Sequence, residues 1–413
     1  MAPAPGPCTS PDWSDLPTDL LTSIVQLLDL PGALAFASVC ASWCSVAVAA
    51  GTPPLHTPWL MSWEPAVKHC GEAVTCEFRR PLVDVDRVHK LTFPEGAFVT
   101  CCGASGGWLV VVDELCNLSL HNAFTSRTIP LPPVTDFPCV EALRDGQGNI
   151  TRYLIRSSEF DDDDAELHDT YHLATFFYRK AVLSGDPSGG GDYAVTVIHH
   201  GGEWVSHVRA GDARWQVLVP NMNKRWRNNR YPDTYADCAS HDGWIYAVSY
   251  WGYVDRWLLD AGGTPSKEAV HYHHWPWRLY DAVLTRHLVV PPGGGVWLVS
   301  AVWEPGRPAY PDAVKFTFHE VNRRRARGQD EEASRRESVQ EHALFLGMNR
   351  SAYLPAKSFP GVRPGVLYFT APWMRQYAPD QLERVGDWGG ARAYDLPGRS
   401  IAWFPACCLR LHV

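Results

Sequence analysis

The residues that could do chemistry are scattered. "GASGG" at 103–107 superficially has the spacing of a nucleophile elbow, in which a Ser sits on a tight turn between a strand and a helix. Its register is Gly-Ala-Ser-Gly-Gly, and it leads into the strand-like run from Trp108, so the elbow chemistry is not expected. "HYHHWPW" at 271–277 raises a metal question. His271 and His273 would share one face of a strand while His274 faces away, and two ligands on a strand need a third from elsewhere to make a site. "EFDDDDAELHD" at 159–169 is acidic enough for Ca²⁺ but lacks a ligand spacing with a turn-forming Gly, so a solvated loop is expected. There is no phosphate-binding Gly-rich loop, no His-Glu-x-x-His and no Cys-x-x-Cys pair. Neither a catalytic residue nor a cofactor or metal is therefore assigned. Carboxylates are plentiful, so an acid–base pair stays open as an alternative.

Recognition chemistry is better represented. "NKRWRNNRYPDTY" at 223–235 interleaves Arg with Trp and Tyr, the side chains that dominate binding energy at protein interfaces. Arg225, Trp226, Arg227 and Tyr231 are the candidate substrate-binding residues. "NRRRARGQDEEASRRESVQEH" at 322–342 is highly charged and almost free of apolar residues, and reads as an inter-strand insertion. The 413-residue chain carries a net charge of −8, which argues against a protein built mainly to bind nucleic acid. No apolar run is long enough for a membrane helix, and "MAPAPGPCTSPDW" lacks the pattern of a secretory signal. The 12 Cys include adjacent pairs and apolar neighbours, which is not a disulfide framework. A reducing compartment is expected, the nucleus and/or cytoplasm, with residues 1–11 a disordered leader.

Two kinds of element must position these residues. Residues 12–51 carry three short helical signals. Pro17 suits a first helical turn and Asp19 complements its dipole. Leu20, Leu21, Ile24, Leu27 and Leu28 then make one apolar stripe. Pro31 restarts a second helix, and a third carries Trp43, Val46 and Ala47 up to Gly51 and Pro53–Pro54. About forty residues cannot bury this surface alone, so it is satisfied by a partner protein or by packing as a lid on the rest of the chain. After a linker at 52–75, residues 76–413 read as many short strands, with 18 Trp, 33 Gly and 33 Pro. Residues 106–133 form three strands, turning at Asp113–Glu114 and again in "NAFTSRT". Asp242–Gly243 is a turn ahead of the strand from Trp244. Similar turn-aromatic-strand units recur every 40–55 residues or so, the period of propeller blades, and the length fits six or seven. A β-sandwich pair is the fallback.

The helical segment, "WSDLPTDLLTSIVQL" followed by "SVCASW", resembles an F-box. Ala41 and Cys44 depart from it, standing where many members have basic residues beside the Trp. The resemblance implies docking on a Skp-type adaptor, and through it on a cullin–RING ubiquitin ligase. Carried over residue by residue, Leu16, Pro17, Leu20, Leu21, Ile24, Leu27, Leu28, Val39, Cys40 and Trp43 would form the docking and packing set. The long part resembles the plant F-box-associated "domain of unknown function 295", most closely at "FLGMNRSAYLPAKSFPGVRPGVLYFT", 345–370. Together they imply an α+β multidomain chain: a three-helix F-box, then an all-β, kelch-like propeller. Its function would be non-catalytic, holding an unknown target protein for ubiquitination, with no nucleic-acid or membrane partner. The alternative from another class is a β-propeller enzyme or carbohydrate-binding module with a helical lid.

Overall fold

The computed structural model describes residues 13–28, 30–50, 59–63, 73–80, 84–156, 165–189, 192–219, 233–258, 266–272, 283–292, 294–303, 314–321, 339–347, 350–359, 361–370, 391–395, 400–403 and 411–412. The chain separates near residue 57 into a helical unit and a β unit.

The helical unit holds α1 (Thr18–Leu27), α2 (Leu30–Ala37) and α3 (Ala41–Ala50) after a 3₁₀ turn at Trp13–Asp15. Pro17 stands at the N-cap of α1, and its carbonyl accepts from the Leu21 N–H at 3.1 Å. The hydroxyls of Thr22 and Ser23 bond back to the carbonyls of Thr18 and Asp19, so the polar side of α1 is satisfied locally. The expected Gly51 cap lies outside the described residues.

The strands follow in chain order. The first sheet has β1 (Leu60–Trp63), β2 (Val74–Arg80) and β3 (Asp84–Phe93), and the second β4 (Thr100–Ser105), β5 (Trp108–Val112), β6 (Leu118–Asn122) and β7 (Thr128–Pro130). The third has β8 (Val140–Arg144), β9 (Ile150–Arg156) and β10 (Ala165–Asp169), followed by α4 (Thr170–Phe176). The fourth comprises β11 (Tyr178–Leu183), β12 (Ala194–His199), β13 (Trp204–Arg209) and β14 (Gln216–Val219). The fifth comprises β15 (Tyr235–His241), β16 (Trp244–Ser249), β17 (Tyr253–Leu258) and β18 (Ser266–Tyr272), and the sixth β19 (Val283–Val289), β20 (Trp297–Trp303) and β21 (Val314–Glu320). The seventh is β22 (His342–Leu346), β23 (Ala352–Pro355), β24 (Val366–Thr370), β25 (Ala391–Asp395) and β26 (Ser400–Trp403). A final strand, β27 (Leu411–His412), returns to pair with β1, so the two ends of the β unit share one sheet. Pairing among the described strands is antiparallel except for β22 with β24.

Apolar clusters lie between successive sheets, as stacked blades require, because neither face of a small sheet is buried alone. Val182, Ile198 and Val205 of the fourth sheet meet Tyr235, Ile245 and Trp257 of the fifth. Val248 and Val254 of the fifth meet Leu288 and Leu298 of the sixth, and Val299 and Phe318 of the sixth meet Leu344 and Leu367 of the seventh. Trp108, Trp204 and Trp257 are fully buried in this scheme.

The seven sheets are not seven equal blades. β4 of the second sheet runs directly against β11 of the fourth, and a Cβ added to Gly103 would meet the Ala181 carbonyl oxygen at 2.1 Å. The third sheet therefore does not intervene between those strands. It packs on the same cluster, through Tyr153 and Ile155, and the Tyr153 hydroxyl donates to the Leu115 carbonyl at 2.7 Å.

Local turns follow their residue types. Asp242 and Gly243 both take positive φ, 48° and 76°, and join β15 to β16 as the expected hairpin turn. The β5–β6 turn is wider than Asp113–Glu114. Asp113 Oδ1 accepts from the Leu115 and Asn117 N–H groups at 2.9 and 2.7 Å. Asp145 repeats this with Gln147 and Asn149 between β8 and β9.

Three expectations change. Residues 52–75 are not all linker, since Leu60–Trp63 pairs with Trp63 opposite Cys76, and its four buried side chains outweigh the flanking prolines. Of the acidic run, Ala165–Asp169 is strand β10, and Asp169 caps α4 by accepting from the His172 N–H at 2.7 Å. Of the charged stretch 322–342, Val339 is fully buried and His342 begins β22, while 322–338 lie outside the described residues.

Gly103→Ala is expected to destabilise the β unit by about 2–3 kcal/mol or more, because the clash is with backbone; urea unfolding checks this. A second test concerns Asp233, which is fully buried and accepts from the Trp251 N–H at 3.1 Å. Burial pushes its carboxyl up from 3.8 to about 6, against the pull of Ser249, the Trp251 N–H and Arg286. The folded chain thus holds an extra proton in that window. Its stability contribution is complete below the ordinary value and falls, by on the order of 3 kcal/mol, as pH rises to about 6. In Asp233→Asn that part of the pH slope should vanish from unfolding curves measured across the window.

Candidate functional site

The sequence placed Leu20, Leu21, Ile24, Leu27 and Leu28 on one stripe; the structure divides them into two. Leu21 and Val25 are buried with Ala33, Phe36 and Val46, and Leu16, Leu28, Trp43 and Ala47 pack against that core. Phe36 packs on Trp43 at a tilt, with ring centroids 4.4 Å apart, and the Trp43 indole donates to the Trp13 carbonyl at 3.0 Å. Leu20, Ile24 and Leu27 point outward at i, i+4 and i+7, with exposures of 50%, 38% and 87%. Val39, in the bend between α2 and α3, and Trp13 are exposed too. Pro17 is exposed and Cys40 half-buried.

Leu21 is therefore a core residue, not a docking one: it lies one step, about 100°, around the helix from Leu20. Leu16, Leu28 and Trp43 serve mainly as packing. Sequence reasoning missed Val25 and Phe36 as core and Trp13 as an exposed anchor. The i+4 spacing of Leu21 and Val25 was the available signal. Five large apolar side chains open to solvent on so small a unit mark an interaction surface.

Of the candidates in the β unit, Arg225, Trp226, Arg227 and Tyr231 lie outside the described residues, as do His273 and His274. Among the described residues, no group of three or more His, Cys, Asp or Glu is placed to hold a metal ion. "GASGG" spans the end of β4 and the turn into β5, so Ser105 is the last residue of β4, paired with Trp108, and a strand rather than a helix follows.

The sequence did not reveal a polar cluster on β11, β15 and β19. Lys180 of β11 pairs with Asp237 of β15 and donates to the Gly347 carbonyl at 3.2 Å; Asp237 also accepts from the Leu288 N–H at 2.8 Å. His287 Nδ1 is 3.6 Å from the Asp237 carboxylate, and its Nε2 bonds the Thr285 hydroxyl. The order Thr–His–Asp is that of an acyl-transfer triad. Here all four side chains are buried, and the Asp237 carboxylate is already engaged by Lys180 and two backbone N–H groups. Burial lowers the His287 pKa, against the opposing pull of Asp237. Burial also raises Asp237, but Lys180 and His287 more than offset it and hold the carboxyl below its ordinary value. The cluster ties three neighbouring sheets together. Its signal in the sequence was polar residues at alternate positions within otherwise apolar strands.

A small helical unit with an open apolar stripe precedes a unit built of small, mostly antiparallel sheets. Residues 13–48 match the F-box domain. Residues 79–396 match the KIB1-4 beta-propeller, and the chain belongs to that family. It is similar to the putative F-box protein At2g33190 of Arabidopsis thaliana, 25% identical over 297 residues that cover 70% of this chain and 69% of that protein. F-box only protein 7 of the same plant is 22% identical over 300 residues, 70% of each. The putative F-box protein At4g22660, also from that plant, is 30% identical over 172 residues, 41% of this chain and 40% of its own length.

Truncation should distinguish the two stripes. Leu21→Ala is expected to cost the helical unit about 2–5 kcal/mol. Leu27→Ala should stay within about 0.5 kcal/mol. Hydrogen exchange of the α1 amides reads both.

Proposed function

We propose that this chain is the substrate-recognition subunit of a Skp–cullin–F-box ubiquitin ligase. The observation that carries the reading is the apolar stripe Leu20–Ile24–Leu27, left open beside a complete helical core, in a segment that matches the F-box domain. The F-box docks a Skp-type adaptor, and the propeller holds a target protein. The chain itself performs no bond chemistry. It raises the local concentration of the target's lysines at the ubiquitin carrier, an effective-concentration effect. Support for the second half is the architecture of the family: a rigid stack of sheets whose connecting loops are free to vary as a recognition face.

The test is binding of purified full-length chain to a Skp-type adaptor. Leu20→Asp, Ile24→Asp and Leu27→Asp combined should weaken it about a hundredfold or more, while α1 amide exchange stays as in wild type. Undiminished binding by that variant would show that the docking surface lies elsewhere.

A further inference from the structure

Eight of the 12 cysteines fall among the described residues, and none is in a disulfide. Six of them, Cys76, Cys101, Cys102, Cys116, Cys139 and Cys238, are buried in the β unit. Cys40 is half-buried and Cys44 is exposed. These two sit one helical turn apart at the start of α3, with the Cys44 N–H donating to the Cys40 carbonyl at 2.9 Å. Both flank Trp43, which packs on Phe36, and Cys40 follows the exposed Val39.

We infer that Cys40 and Cys44 form a dithiol oxidation site whose closure opens the first turn of α3. Residues four apart on a helix hold their Cβ atoms about 5–6 Å apart. A disulfide needs them at about 3.5–4.5 Å. The bond therefore forms only if the turn distorts, breaking the Cys44–Cys40 backbone bond and shifting Trp43. With hydrogen peroxide as oxidant, the Cys44 thiol, the more exposed, takes one oxygen to give a sulfenic acid and releases one water. The Cys40 sulfur then attacks that sulfur, forming the S–S bond and expelling a second water. Two thiols are oxidised by two electrons, and one peroxide is reduced. An exposed, strained disulfide is readily reduced again, as a switch in a reducing compartment requires. The buried six do not compete: burial shields them from oxidant and pushes their thiols up, Cys101 to about 11. Resting on the docking reading above, closure moves Trp43 and Val39 and weakens adaptor binding. By reciprocity, bound adaptor disfavours the closed disulfide at equilibrium.

The test treats full-length chain with peroxide and follows three readouts. A peptide spanning 40–44 should become lighter by two hydrogens, and α3 amide exchange should quicken. Adaptor affinity should fall roughly tenfold. Dithiothreitol should reverse all three, and Cys40→Ser and Cys44→Ser should show none of them. If the two sulfurs oxidise without joining, or join with α3 exchange unchanged, the inference is wrong. If they join and α3 opens but adaptor affinity holds, the coupling to docking is wrong. Failure of the untreated chain to bind adaptor counts against the docking reading alone, because the first two readouts do not involve it.

Discussion

The helical unit rests on one constraint: α1 is apolar on two neighbouring stripes, and its own helices cover only one. Leu21 and Val25 turn inward onto Phe36 and Val46, while Leu20, Ile24 and Leu27 remain in water. Burying a leucine is worth about 1.5–3 kcal/mol. Three large aliphatic side chains left outside are a standing cost that a partner covering them would remove. The unit thus folds around one stripe and leaves the other open, and Trp43 packs inside while holding the Trp13 backbone.

The β unit solves the complementary problem. Its sheets are too small to be stable singly, so from the fourth to the seventh each meets the next through apolar side chains, and β27 returns to pair with β1. Where two inner strands come closest, only a hydrogen fits at Gly103. Where they carry charge, Lys180 pairs with Asp237 and His287 bonds Thr285, all out of solvent. A buried pair of this kind adds little net stability but penalises any register that parts it. The third sheet and α4 pack on this frame through Tyr153, Ile155, Leu173 and Ala174, all buried.

Much of this was legible in the sequence. Pro17, Pro31 and the apolar spacing set out three helices, and Trp-led strands with Gly turns set out a many-stranded second unit, down to the hairpin at Asp242–Gly243. The phase of α1 was not, because adjacent leucines at 20 and 21 fit a stripe on either side and only the packing of Phe36 and Val46 chooses. Asp113 and Asp145 each order a wider turn through Asn four residues on, a pattern that a search for Gly and Pro passes over. Strand Leu60–Trp63 was hidden by prolines on both sides. Nothing in the sequence marks Lys180 and Asp237 as a buried pair, since sequence shows alternation but not which neighbouring strand supplies the partner. The proposed recognition loop 223–235 was read from composition, which indicates binding chemistry but not its place in the fold.

The most direct measurement is side-chain footprinting of the full-length chain with and without a Skp-type adaptor. Docking on the open stripe predicts that Leu20, Ile24 and Leu27 lose their reactivity toward hydroxyl radical in the complex while Leu21, buried in both states, does not change. Equal labelling of Leu20, Ile24 and Leu27 in the free and adaptor-bound chain would contradict it.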